Sequence, residues 1–577
     1  MAPLLARGYV LTYDMVFVPR LELTGNLLGL DVAVARAVPG DLLVALASRL
    51  VPADLVQKLI LLGIVVAAGA GAARLTPTRR PAAKAAAAAL YAWNPFVYER
   101  LVMGHWGLLA AYATLPFVAR AATDLRTGTQ GSVRRLVLTL AIAAAASPPG
   151  GLIAAAVALC VAAAPPWSAQ RAVALHGARA LRFLRSTRGR VAVLLGVALV
   201  VNAPWLVPSV LRPGGVPVRA EGAAAFASRP DGPLGTVGSL VGLGGIWNAF
   251  AVPPGLGSWP WVGGFVVVLA VAVAGAGLPV LWRRLPAGAA GGLLLAAGLG
   301  LVVAAAYAVP GLRSLVDLVV VHVPGGGLVR DAQKFIAPLA LVEAAAFGLG
   351  VERLVPALPP RWGRAAAAGL VAAPVLLLPA LAWGAAGRLA AVPYPEAFAE
   401  ARAAMVADPV PGAVLVLPWH LYMGFPWNGD RVVLDPAQRW FTRRAVGNDD
   451  LELAGTTVPG EDPYGARLGP LVAGTAPLAP ALPAAGVRYV LVFKTAEWAT
   501  YRPRLSGLDP VLDRPALALH RVPARPAEVR LPAPPAAPVL LADLLAAGLV
   551  LGAAVPTLHA GVGQLLSSGR DHQGGRR

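Results

Sequence analysis

From residue 55 to residue 386 the chain alternates apolar runs long enough to form buried helices with short polar stretches. The polar stretches are of two kinds. One kind is basic and nearly free of acid: Arg74, Arg79, Arg80 and Lys84; Arg120, Arg126, Arg134 and Arg135; Arg171, Arg179, Arg182, Arg185, Arg188 and Arg190; Arg283 and Arg284; Arg353, Arg361 and Arg364. The other kind mixes acids, aromatics, glycine and proline. Lys and Arg collect on the cytoplasmic side of membrane helices, so the alternation predicts both the spans and their direction.

The expected spans are 55–73, 82–95, 107–121, a short hairpin over 136–165 that turns through Pro148-Pro149-Gly150-Gly151, 191–210, 261–282, 287–308, 335–351, 365–386 and 537–556. That makes eleven, several of them short for a bilayer that asks for about 20 residues per helix. Residues 1–50 are too polar to span, and loops 94–106, 211–260 and 309–334 fall outside the cytoplasm. No basic region precedes an apolar run and a cleavage site, so no signal peptide is read there. An external N-terminal segment then has to be translocated as a tail or to follow a first transmembrane helix upstream of this start site, and the second is the expectation. The expected organisation is 1–387 as the transmembrane domain, 388–533 as an extracytoplasmic domain, and 534–577 as a last transmembrane helix with a short basic tail.

The polar region 388–533 predicts an α/β unit. Ala413–Leu417, 431–434 and Val487–Phe493 have the β-branched, apolar makeup of strands, and 396–406 has helical spacing ahead of the first. Segment 523–538, rich in proline and alanine, reads as a linker.

Composition agrees with the pattern. The 577 residues are 57% hydrophobic and 14% charged, with a mean hydropathy of +0.66, against about a quarter charged in a globular domain. The net charge of +20 follows from the basic clusters between spans and does not indicate nucleic acid. A single cysteine, Cys160, excludes an intrachain disulfide and a cysteine-based metal cluster. Of 29 acidic residues, only Asp124, Glu352 and Asp571 fall in the cytoplasmic segments, so the chemistry gathers on the other side.

Five groups are candidates. Asp14, among Tyr13, Met15 and Phe17, is either a general base for an acceptor hydroxyl or a solvated loop aspartate. The turn Asn94-Pro95-Phe96-Val97-Tyr98-Glu99-Arg100 stops one helix, because proline removes a donor and disfavours helical geometry before it. Its Glu99 and Arg100, with His105, could bind a sugar, pair with phosphate oxygens or shuttle protons, or form a structural ion pair. Arg330-Asp331-Ala332-Gln333-Lys334-Phe335 puts two cations and an acid at a membrane interface, suited to a lipid phosphate or to plain snorkelling. Glu343 and Asp543 lie nominally inside spans. Trp419-His420, Trp427-Asn428 and 435–440 could stack on sugar rings or build an ordinary core. P-loop, dinucleotide and HExxH patterns are missing from the sequence. No cofactor is implied, although a divalent metal is compatible with the pattern.

Together, Asp14 in an acidic first loop, the Asn94-to-Arg100 turn, Arg330-Asp331 with Lys334-Phe335, and Gly486-Val487-Arg488-Tyr489-Val490-Leu491-Val492 in the polar region resemble the GT-C superfamily of membrane glycosyltransferases. The nearest likeness is to YfhO-like proteins and to the membrane bundle of actinobacterial arabinofuranosyltransferases. The resemblance implies a sugar taken from a polyprenyl-phosphate donor outside the membrane and given, with inversion, to an envelope glycan or lipid acceptor. It further implies Asp14 as catalytic base, Arg330 and Lys334 on the donor phosphate, and Glu99, Arg100, His105 and Asp331 on the donor sugar. Membrane lipids are the other partner; no nucleic acid and no bound metal are implied. The same cations would serve a transporter or flippase of a lipid-linked glycan, which is the alternative, and a non-catalytic envelope scaffold is the third reading.

Overall fold

A computed structural model describes residues 6–165, 186–215, 220–254, 260–323, 325–453 and 456–555. Arg171, Arg179, Arg182 and Arg185 of the third basic cluster, and the tail with Asp571, Arg576 and Arg577, lie outside the described residues.

Every expected apolar segment is helical. The bundle begins with α1 (Gly40–Leu50), α2 (Ala53–Leu75), α3 (Pro81–Ala92), α4 (Pro95–Val102), α5 (Trp106–Thr127), α6 (Ser132–Ala146) and α7 (Pro148–Ala163). It continues with helices Thr187–Leu211, Pro260–Arg284, Ala289–Ala305, Ala337–Leu354, Pro360–Leu377 and Ala536–Ala554. Among the described residues, six helices are long and apolar enough to cross a membrane: Ala53–Leu75, Thr187–Leu211, Pro260–Arg284, Ala289–Ala308, Ala332–Ala357 and Ala536–Ala554. The other expected spans are shorter or more polar. The segment expected over 365–386 ends as an α-helix at Leu377 and continues as a 3-10 turn over Pro379–Trp383, where prolines 374 and 379 remove backbone donors.

Local chemistry sets the breaks. Asn94 caps α4, its side chain accepting from the Val97 amide at 3.0 Å, and Pro95 takes the first helical position, where its missing donor costs nothing. Ser147 caps α7 in the same way through the Gly150 amide, which turns the expected hairpin into two helices. Packing between apolar helices depends on close backbone approach rather than on hydrophobic drive. Helix Pro260–Arg284 meets Ala337–Leu354 at Gly277 and Gly350, where a Cβ would run into the backbone of Ala346 and Val273 respectively.

The polar region forms a five-stranded sheet in the order β10-β11-β9-β3-β6, with β3 (Ala413–Leu417), β6 (Ala445–Val446), β9 (Val487–Phe493), β10 (Asp509–Asp513) and β11 (Leu517–Arg521). β3 runs parallel to both β6 and β9, while β11 is antiparallel to β9 and β10. Both central strands are buried along their whole length, which explains why they read in the sequence as unbroken apolar runs. The strand expected at 431–434 is β5 (Val432–Leu434); it pairs with β4 (Tyr422–Gly424) in a separate hairpin. The helix expected at 396–406 is Glu396–Ala407.

The N-terminal segment joins the two regions. β1 (Tyr9–Val10) pairs antiparallel with β2 (Ala391–Val392), and Tyr13 bridges to Val433 of β5. From below, Gln57 of α2 brackets Val10, accepting from its amide at 2.9 Å and donating to its carbonyl at 2.8 Å.

Candidate functional site

The segment carrying Asp14 crosses the end of the bundle that packs against the polar region. The Thr12 hydroxyl donates to the Val102 carbonyl at 2.9 Å, and the Asp14 amide donates to the Met103 carbonyl at 3.2 Å. Tyr13 closes the turn with a φ of 40°, a left-handed conformation that costs a bulky residue of order 1–3 kcal/mol. Two backbone bonds to β5 hold it there: Tyr13 N–H to the Val432 carbonyl at 2.8 Å, and Leu434 N–H to the Tyr13 carbonyl at 2.9 Å. Gly104 (φ 77°) lies directly beneath Thr12 and Met15. The turn is thus fixed on both sides and presents one side chain.

That side chain is Asp14. One carboxylate oxygen accepts from the Tyr422 hydroxyl of β4; the other lies 3.2 Å from His105 Nε2. Its side chain is nevertheless 42% exposed, so it is open to water. Burial works against its ionisation, but hydrogen bonds from His105 and Tyr422, with the nearby Arg36 charge, prevail and hold the carboxyl below the usual carboxylate range.

Behind His105 stands Arg100, with no exposed surface of its own. Its Nη1 lies 3.0 Å from His105 Nδ1. A guanidinium can only donate, so Nδ1 must accept and the imidazole proton sits on Nε2, directed at Asp14. The same guanidinium forks onto Asp331, with Nη2 at 2.9 Å from Oδ1 and Nη1 against Oδ2, and its Nε donates to Gln333 Oε1 at 2.9 Å. A bidentate fork fixes orientation as well as charge. Asp331 has a φ of 55°, which aspartate tolerates better than most residues. Desolvation of its carboxyl is outweighed by the charge and hydrogen bonds of Arg100, so it too stays ionised.

Gln333 passes the network on. Its amide donates to Glu99 Oε2 at 3.1 Å and to the Gly244 carbonyl at 3.2 Å. Glu99 is fully buried and lies close enough to Asp231 for the two carboxyls to oppose each other's ionisation; Glu99 Oε1 and Asp231 Oδ1 are buried without a hydrogen-bond partner among the described residues. Burial first, and then the Asp231 charge, raise Glu99 well above the usual range; burial pushes Asp231 up to about 6.

Asp14, Glu99, Arg100, His105 and Asp331 therefore form one connected network, although Glu99 and Arg100 reach Asp14 only through the groups they hold. Lys334 sits beside it: its ammonium donates to the Arg330 carbonyl at 2.6 Å. Arg330 turns toward the polar region and lies 3.4 Å from Glu461. Glu343 and Asp543 make no hydrogen bond to the network among the described residues. Also among the described residues, no three His, Cys, Asp or Glu side chains are grouped as a metal site would require.

Sequence reasoning missed Tyr422, Gln333, Asp231, Arg36 and Glu461. Gln333 stood inside a motif already singled out and could have been found as its neutral member. The other four carry no local pattern.

No family model matches the chain, and no curated protein matches it by sequence. Solved structures do. The single-particle cryo-EM structure of the arabinofuranosyltransferase AftD from Mycobacteria superposes with a TM-score of 0.53 over 84% of this chain, at 17% identity, and the match covers 34% of AftD. A mutant of AftD, in its second class, gives a TM-score of 0.52 at 18% identity, over 85% of this chain and 36% of that one. The chain thus spans about a third of the length of the protein it matches, and the likeness is one of fold.

Proposed function

We propose that the protein is a glycosyltransferase that moves a sugar from a polyprenyl-phosphate donor to an envelope glycan or lipid acceptor on the extracytoplasmic face of the membrane. The observation that carries this reading is Asp14: an ionised, water-accessible carboxylate whose two oxygens are aimed by His105 and Tyr422, on a fold shared with AftD.

The acceptor hydroxyl attacks the anomeric carbon of the donor. Its proton passes to Asp14, and the bond from that carbon to the phosphate oxygen breaks with the electron pair leaving on the phosphate. A carboxylate with two hydrogen bonds keeps further lone-pair positions for the incoming hydroxyl. Because Asp14 is a weak base, the proton moves late, once the attacking oxygen has bonded to carbon and turned acidic. Arg330 and Lys334 stabilise the charge that grows on the leaving phosphate. His105 and Asp331, the less buried members of the network, meet the donor sugar, while Arg100, Gln333 and Glu99 keep them in place. The region 388–533 contributes Tyr422 to the reaction centre and holds the acceptor.

Asp14→Asn tests this in membranes supplied with labelled polyprenyl-phosphate sugars. Turnover should fall by about 10²–10⁴-fold, the usual worth of a positioned base, with donor binding retained. Undiminished transfer by the variant would remove Asp14 from the mechanism.

A further inference from the structure

Near Asp14 lies an ion cluster that the transfer chemistry leaves unexplained. Glu461 follows the hairpin of β7 (Leu451–Leu453) and β8 (Thr456–Val458) and precedes the helix Pro463–Ala473. Its carboxylate sits between two guanidiniums from distant parts of the chain. Arg36 Nη2 lies 2.7 Å from one oxygen, and Arg330 Nη2 lies 3.4 Å from the other. Arg36 belongs to the N-terminal segment and is close enough to act on both Asp14 and Tyr422.

Neither contact is a good one. The Arg330 distance is long for a charge-assisted bond. The Glu461 oxygen facing Arg36 is buried yet makes no properly directed hydrogen bond. The neighbouring acids are better served: Arg444 bonds Asp462 at 2.8 Å and Asp31 at 3.1 Å. Arg36 is 70% exposed at its side chain, so the face of the trio opposite the protein is open. Within the trio one carboxylate faces two guanidiniums, and the Lys334 ammonium is bonded to the Arg330 carbonyl.

We propose that Arg36 and Arg330 form a binding site for a single phosphate-type oxyanion, and that the Glu461 carboxylate is an internal stand-in that occupies it until that ligand arrives. The proposal rests on the reading of Arg330 as a phosphate ligand and adds a second cation and a competitor to it. A phosphate monoester offers three oxygens and nearly two charges, and planar guanidiniums bind such groups with paired bonds. It therefore satisfies both arginines together, which the single carboxylate does not. Displaced, Glu461 is free to swing to water, while Arg212 stays bonded to its backbone carbonyl at 2.5 Å. Binding of the anion and release of the Glu461 side chain are thus one event.

The test uses the full chain in detergent micelles and measures binding, without turnover, of farnesyl phosphate and of inorganic phosphate. Glu461→Gln keeps the shape and the Arg212 contact and removes the competing charge. It should tighten binding by on the order of tenfold, the scale of one partly screened charge pair, and adding Arg36→Ala should cancel the gain. A gain for farnesyl phosphate alone assigns the site to a lipid headgroup, and a gain for both assigns it to the phosphate group itself. Unchanged or weaker binding of both probes by a Glu461→Gln protein with unaltered melting temperature overturns the proposal. So does a gain that persists without Arg36. Tighter phosphate binding with no sugar transfer from any donor would instead count against the glycosyltransferase reading and leave the anion site standing.

Discussion

Tyr422→Phe isolates one hydrogen bond at the reaction centre. The substitution removes the hydroxyl that bonds Asp14 and leaves the ring, with its edge-on contact to Tyr13 at 6.1 Å between centroids. A hydrogen bond to a charged group is worth about 1.5–3 kcal/mol when buried. Asp14 is 42% exposed, and water will take the vacated position, so about 1 kcal/mol is the better figure. The sign is fixed by the direction of the native shift: the folded carboxyl is held below its ordinary value, and losing a donor brings it back up. If Asp14 acts as a carboxylate, the acidic limb of kcat/KM for transfer from a polyprenyl-phosphate sugar should move to higher pH, by the amount that about 1 kcal/mol corresponds to. A limb that stays in place, or moves down, would refute the assignment of Asp14 as the titrating base and of Tyr422 as its donor.

Two further outcomes test the scaffold. Gly104→Ala would place a Cβ 2.5 Å from the Thr12 carbonyl oxygen and 2.9 Å from the Asp14 nitrogen at a φ of 77°, so it should lower thermal stability by about 2 kcal/mol or more and displace Asp14, read by melting in detergent together with turnover. Asp408 accepts from Arg488 at 2.7 Å and from the Tyr489 hydroxyl at 2.8 Å; Asp408→Asn leaves the largely buried Arg488 without its counter-charge and should cost about 3 kcal/mol. Burial opposes ionisation of Asp408, but Arg488, the Val410 amide and Tyr489 hold it far below its ordinary 3.8, so its contribution is complete above that value and declines as pH falls below it. The native protein should therefore lose melting temperature in that acid window, and Asp408→Asn should flatten that loss; an equal decline in both would count against the pair.

Charge placed against apolar surroundings was legible from the sequence. Asn94-Pro95 announced its own break, and Glu99, Arg100, His105 and Asp331 stood out because ionisable groups at a membrane interface are expensive. Their meeting in one network follows from their positions at the same end of successive helices. The partners that finish the site were not legible, because contacts across the chain leave no local trace. Tyr422 is 408 residues from Asp14, and in the sequence it is one aromatic among others in a polar region. Asp231 lies in a glycine-rich loop with no periodicity to fix its direction. The span expected at 365–386 shows the reverse failure: its hydrophobicity suggested a helix through residues that Pro374 and Pro379 bring to an end at Leu377.

The pairing of Tyr9–Val10 with Ala391–Val392, and of Tyr13 with Val433, means that the Asp14 carboxylate hangs from a seam. A bundle expressed alone, ending near residue 387, would lose the strand that sets the Tyr13 turn as well as the hydroxyl of Tyr422. Conversely, any tilt of the polar region would pull on the strand pairings that flank Asp14, so that movement of that region and the aim of the carboxylate are mechanically the same motion.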